Sequence, residues 1–590
     1  MLSFKQNKPV TTYIAMLVIS LSLSACGDDS GADGADGGAV SGGDSDTDVD
    51  TDADTDTDND SDTDTDGDSD GDSDGDSDGD ADSDVDTDAD TDADSDTDTD
   101  ADSDTTDADA GTDACFDAGE DKEPAEDYGK LVENPFVETA EEPVSTFSID
   151  VDTASYSLVR SYLQGGQMPP VDNVRIEELV NYFHYDYSQP EGEHPFSAQM
   201  EMAKSPWRSD ASLVMIGLQG KEIDKDSLPG SNLVFLIDVS GSMSASNKLP
   251  LLQEAFKLLV DRLSDQDRVS IVTYAGSAGV VLDSVSGSEK QEIKQAIDNL
   301  KSGGGTNGAQ GIITAYELAE KNLVEGGNNR VILATDGDFN VGASSDTAME
   351  SLIVEERDKG IFITVLGFGM GNYQDSKMET IADNGNGNYF YIDSKKEAEK
   401  VFIHDLMGNM FTIAKDVKLQ LEFNSARIKK YRLIGYENRV MPNDDFNDDT
   451  KDAGEIGAGH RVTAFYEVIL NEGGGTVPVD PGNQGEFEPA SFEEGDLLQL
   501  RMRYKEPDQD VSKYLDQMMT EDDMYDEMSE NMGFASAVVE FGMLIRESQF
   551  KESSSYDNAL ERAQSNLGQD TFGFRGEFLE LVSMAKELDD

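Results

Sequence analysis

The stretch FLIDVSGSM (235–243) is an apolar run that stops at an aspartate and continues as alternating hydroxyl residues. Leu233 to Ile237 are apolar without a polar interruption, as expected of a parallel strand covered on both faces. Similar short runs recur at 269–274, 331–335 and 361–366. Helix-length segments lie between them; in 248–263, Leu252, Ala255, Phe256, Leu259 and Leu263 keep to one side. Further helices are predicted over 289–300, 309–323, 346–359 and 395–407, with short edge strands at 280–282 and 389–392. The alternation predicts a doubly wound, Rossmann-like α/β fold with a parallel sheet between 231 and 410.

In such sheets ligands bind where loops leave the carboxyl ends of the strands. Asp238, Ser240 and Ser242 stand at one such end, on a turn that Gly241 permits. Thr306, closing GGGT, and Asp336, directly after VILAT in TDGD, end two later loops. All five side chains carry oxygen, with no His or Cys among them. That donor set suits a hard cation such as Mg2+ or Mn2+ and disfavours zinc or copper.

D-x-S-x-S with a downstream Thr and a T-D-G aspartate resembles the metal-ion-dependent adhesion site, or MIDAS, of the von Willebrand factor type A domain. The resemblance implies that Ser240, Ser242 and Thr306 ligate the ion directly while Asp238 and Asp336 act through water. It further implies that a Glu or Asp of a partner protein completes the coordination shell. The segments VSTFSIDVDTASYSLVRSYLQGGQMPPVDNVRIEELVNYF (144–183) and GQDTFGFRGEFLELV (568–582) resemble the flanks of a bacterial envelope lipoprotein subfamily that carries this domain.

Outward from the domain the composition changes twice. The region 128–230 is expected to be α+β: a strand, a helix capped by Asp152 or Thr153 and stopped by Gly165-Gly166, a second helix over 172–183, and strands at 197–203 and 212–218. The region 411–510 alternates apolar and polar residues at 417–423, 431–436, 461–470 and 497–504, which predicts an antiparallel sheet. Its strands are expected to pair with those before residue 232. From 511 to 590 a helical region is expected, on the spacing seen from 532 onward.

About half of the formal charge of −82 lies near the start of the chain, where every even position from Asp44 to Asp104 is aspartate. No apolar face exists there, so 26–127 is expected to be a disordered, self-repelling tether. DTDTDG (62–67) copies the opening of a calcium loop but lacks the closing Glu, so only weak Ca2+ association is expected. Lys5 and Lys8 precede an apolar stretch ending in LSAC (23–26), which resembles a lipobox and predicts a signal peptide over 1–25 with lipidation of Cys26. Gly27 favours the outer membrane by analogy with enteric sorting. Cys115 is the one other cysteine, and no role is expected for it.

An excess of carboxylates repels phosphate, which argues against nucleic acid. GFGMGN (367–372) falls one glycine short of a dinucleotide fingerprint, GGGTNG lacks the lysine of a P-loop, and neither H-E-x-x-H nor G-x-S-x-G occurs. The expectation is therefore a noncatalytic envelope protein, lipid-anchored and binding a partner carboxylate through a divalent cation. A metal-dependent envelope hydrolase is the alternative.

Overall fold

The computed structural model describes residues 130–149, 152–224, 228–337, 339, 346–370, 374–471, 490–507 and 509–589. The signal peptide, Cys26, the aspartate tether, Cys115 and Asp338, the carboxylate in TDGD that a hydrolase could use as a base, lie outside them. At the centre is a six-stranded sheet in the order Tyr389–Tyr391, Ile361–Gly367, Asn328–Thr335, Ser231–Asp238, Arg268–Tyr274, Ala278–Ser286. The first five are mutually parallel. The sixth runs antiparallel because residues 275–277 form a tight turn, too short for a crossover.

Side-chain alternation along Ser231–Asp238 feeds two cores. Val234 and Leu236 pack on one face with Val331, Leu333, Ile363, Ile312 and Ala315. Leu233, Phe235 and Ile237 pack on the other with Leu252, Phe256, Leu259 and Phe402. The helices Leu249–Arg262, Lys290–Asp298, Gly308–Lys321, Asp346–Asp358 and Asp375–Asn384 match the expected segments within a few residues.

The expected helix over 395–407 is instead broken. Lys395–Glu399 is α-helical, Lys400–His404 is a π-turn, and Leu406–Met410 resumes as α-helix. The Asp405 N–H donates to the Lys400 carbonyl across five residues, and the same two side chains form an ion pair at 2.6 Å. That pair is aligned in a π register and would be rotated apart in a regular helix.

Strands on the two sides of the inserted domain pair with one another. Val144–Ser148 lies against Thr412–Phe423, and Ser212–Gly220 against Arg461–Leu470. The result is two antiparallel sheets packed on one apolar core that includes Phe147, Ile216, Leu419, Leu433, Tyr466 and Leu500. The helices Ala154–Gln164 and Ile176–Asn181 join the late helices Glu530–Ile545, Tyr556–Ser565 and Phe574–Asp589 in a further core.

Three further expectations need correction. Residues 512–520, read as the start of a helical region, form a strand on Asp496–Lys505; as a half-exposed edge it lacks a strong apolar alternation. The helix expected over 172–183 is a 3-10 turn, Val171–Asn173, followed by the α-helix Ile176–Asn181. Asp152 does not cap its helix: Thr153 is the N-cap without a side-chain bond, and Asp152 Oδ1 accepts from the Tyr389 N–H at 2.8 Å.

Candidate functional site

The order of the sheet reverses between Ser231–Asp238 and Asn328–Thr335. The chain leaves the first of these toward Arg268–Tyr274 on one side and returns with the second on the other. Loops diverging at such a switch point open a crevice at the carboxyl end. Asp238 ends one strand and Asp336 directly follows the other, so the two aspartates flank it.

The Asp238 side chain is fully buried, and its Oδ1 accepts the Ser240 N–H at 2.7 Å. Its Oδ2 is buried without a hydrogen-bond partner. Burial pushes the Asp238 carboxyl up to about 6, with the Asp336 charge adding to it, while the Ser240 groups and the Tyr274 hydroxyl oppose the rise. Tyr274, buried beneath at the end of its own strand, faces this carboxylate without closing a hydrogen bond of ordinary geometry. Ser240 Oγ and Ser242 Oγ stand 2.8 Å apart, the first buried and the second exposed on the 3-10 turn Gly241–Ser244.

The glycine loop is tied to this turn by its backbone. The Gly241 N–H donates to the Gly304 carbonyl at 3.1 Å, and the Gly303 N–H to the Val239 carbonyl at 2.8 Å. Gly304 sits at φ +94, which an L side chain rarely adopts. Thr306 follows, half-buried, just ahead of the helix Gly308–Lys321. Its hydroxyl bonds to none of the other four candidate side chains. The loop therefore brings Thr306 to the same end of the sheet as the Asp238 turn.

Asp336 is buried, and its Oδ2 accepts from Lys248 Nζ at 2.8 Å. Neither Lys248 nor Tyr274 carries a sequence signal for this role. A lysine ahead of a helix and a tyrosine ending a strand are ordinary, and only the fold sets them against the aspartates. Among the described residues no group of three or more His, Cys, Asp or Glu side chains is arranged to hold a metal ion. A cation here would therefore depend on hydroxyls as well as carboxylates. The residues present suit such an ion: the donors are hard oxygens at one end of the sheet, and one buried carboxylate oxygen, Asp238 Oδ2, has no hydrogen-bond partner.

Comparison with known proteins matches three stretches of the chain. Residues 232–405 match the von Willebrand factor type A domain, 122–215 match the family described as von Willebrand factor, and 408–588 match "Uncharacterized protein YfbK, C-terminal". Escherichia coli (strain K12) YfbK is 40% identical over 475 residues, covering 78% of this chain and 81% of the relative. Mouse inter alpha-trypsin inhibitor heavy chain 4 is 27% identical over 199 residues, covering 32% of this chain and 21% of the relative. A solved von Willebrand factor type A structure from Catenulispora acidiphila aligns over 66% of this chain and 91% of its own, with 16% identity and a TM-score of 0.37.

Proposed function

This chain belongs to the family of the Escherichia coli protein YfbK and carries a von Willebrand factor type A domain, and from that premise we propose that it is a noncatalytic binding protein of the bacterial envelope. Its site holds Mg2+ or Mn2+ through Ser240, Ser242 and Thr306, with Asp238 and Asp336 supporting through water. The ion captures a carboxylate of a partner protein. Cys26 carries the lipid that anchors the chain in the outer membrane, and the aspartate repeat spaces the folded part from it.

The observation that carries this reading is the buried, unpartnered Asp238 Oδ2 beside the paired serine hydroxyls. Leaving a carboxylate oxygen desolvated and unbonded costs free energy that an ion, directly or through its water, offsets. Two aspartate charges balance a divalent cation while neutral hydroxyls fill other positions. The metal then retains enough charge to draw in one further anionic oxygen.

The test is crosslinked capture from envelope fractions, with Mg2+ and with chelator. A captured partner that is lost with the chelator and lost with Asp238→Ala supports the reading. Capture indifferent to both, or metal-dependent phosphatase or peptidase turnover by the purified chain, sinks it. The anchor is tested separately: Cys26→Ser releases the chain or blocks its maturation, and retention after a high-salt wash rejects the lipid.

A further inference from the structure

The contact between Lys248 and Asp336 extends this reading of the site and rests on it. Lys248 precedes the helix Leu249–Arg262, and its side chain runs across Gly369, just past the strand Ile361–Gly367. Gly369 sits at φ +76, and a Cβ there would lie 2.3 Å from Lys248 Cε. The ammonium ends 2.8 Å from Asp336 Oδ2, with 14% of the lysine side chain and 2% of the aspartate side chain exposed. Glycine at 369 thus clears a path for the lysine, and the pair it leads to is nearly dry.

We propose that Lys248 is a resident counter-cation of the site. It competes with the divalent ion for Asp336, so metal alone binds weakly, and metal together with an acidic ligand binds strongly. An ammonium has three donors and no lone pair, so it cannot ligate the ion. With the metal present it either stays as a like charge close by or gives up its partner and moves to solvent, and both weaken metal binding. Charge counting leads to the second half. Asp238 and Asp336 supply two negative charges and Lys248 one positive, so a divalent ion leaves the loaded site with an excess positive charge. An incoming carboxylate cancels it. Without Lys248 the loaded site is already neutral, and the carboxylate gains less.

The experiment is a calorimetric Mn2+ titration of the whole chain and of the neutral variants Lys248→Met and Lys248→Gln, alone and with excess free glutamate. Circular dichroism melting serves as the folding control, and the second substitution decides if the first misfolds. Both variants are expected to bind Mn2+ about tenfold or more tighter than the parent, as expected when a nearby positive charge is removed. Glutamate is expected to raise the parent's Mn2+ affinity more than that of the variants. Binding seen only in the variants also supports the competition. Equal or weaker Mn2+ binding by folded variants, beside a parent that binds, overturns the counter-cation and leaves the metal reading intact. No binding by parent or variants overturns both.

Discussion

Asp238 and Thr306 stand for two different kinds of contribution to the site. Asp238 brings a full negative charge from a buried position, whereas Thr306 brings one neutral oxygen from a half-buried loop. Asp238→Ala is therefore expected to lower Mg2+ affinity more than Thr306→Ala, by an additional factor of about ten or more, since a close carboxylate outweighs a hydroxyl toward a divalent ion. Neither change unfolds the domain, because the core is the apolar sheet and both residues sit at its rim. Parallel calorimetric titrations with circular dichroism check this, and parent-like affinity in folded Asp238→Ala sinks the assignment. As candidates the five oxygen side chains were legible in the sequence: Asp238 and Asp336 follow apolar runs, Thr306 closes a glycine turn, and Ser240 and Ser242 flank Gly241. Lys248 was not, since its charge reaches Asp336 by passing over Gly369, a neighbour more than a hundred positions away in the chain.

At the scale of elements, strong apolar runs were readable and weak or interrupted ones were not. The buried strands from 231 to 367 follow from unbroken hydrophobic stretches, whereas the half-exposed strand Ser512–Thr520 offers no such pattern. The π-turn Lys400–His404 escaped because helical periodicity does not register one inserted residue. That turn has a consequence for the loop between the strands Gly454–Gly457 and Arg461–Leu470. Asn409 follows the π-turn and donates its amide to the Val401 carbonyl at 3.0 Å, which turns its Oδ1 toward His460 Nε2 at 3.1 Å. His460 Nε2 is therefore the donor, and Nδ1 is buried without a partner. Burial, chiefly, pushes the His460 pKa down to about 4 from an ordinary 6.5. The neutral ring is the native form, so this contribution to stability is complete above about pH 6.5. It is lost as the pH falls toward 4, where the unfolded chain takes up a proton that the folded chain refuses. Denaturant midpoints measured across that window are expected to fall with pH less steeply for His460→Gln than for the parent. Parallel pH profiles reject the assignment.

Across the whole molecule, the α/β domain is held to its flanks by buried charge as well as by apolar packing. Arg160, on the helix Ala154–Gln164, is 1% exposed. Its guanidinium takes Asp393 through two bonds, Nη2–Oδ1 at 2.6 Å and Nε–Oδ2 at 2.7 Å. It also reaches Glu397 at 2.7 Å, Glu577 at 3.1 Å and the Tyr182 hydroxyl at 2.9 Å. Asp393 and Glu397 belong to the end of the inserted domain and Glu577 to the last helix, so one cation joins three regions of the chain. Removing it leaves three carboxylates crowded together in poor solvent, and breaking a buried network of this kind costs about 3–5 kcal/mol. Arg160→Ala is expected to lower the melting temperature and to separate the α/β domain from its surroundings. The single tryptophan makes the separation measurable. Trp207 is buried in the helical and β flanks, where its Nε1 donates to Glu467 at 3.0 Å, so its fluorescence follows the flanks alone. Far-ultraviolet circular dichroism follows every element. The two signals are expected to melt together in the parent and apart in Arg160→Ala, with Arg160→Lys intermediate because it keeps the charge and loses the two-bond fork. Coincident transitions at an unchanged temperature in Arg160→Ala would show that the Arg160 network does not hold the domain to its flanks.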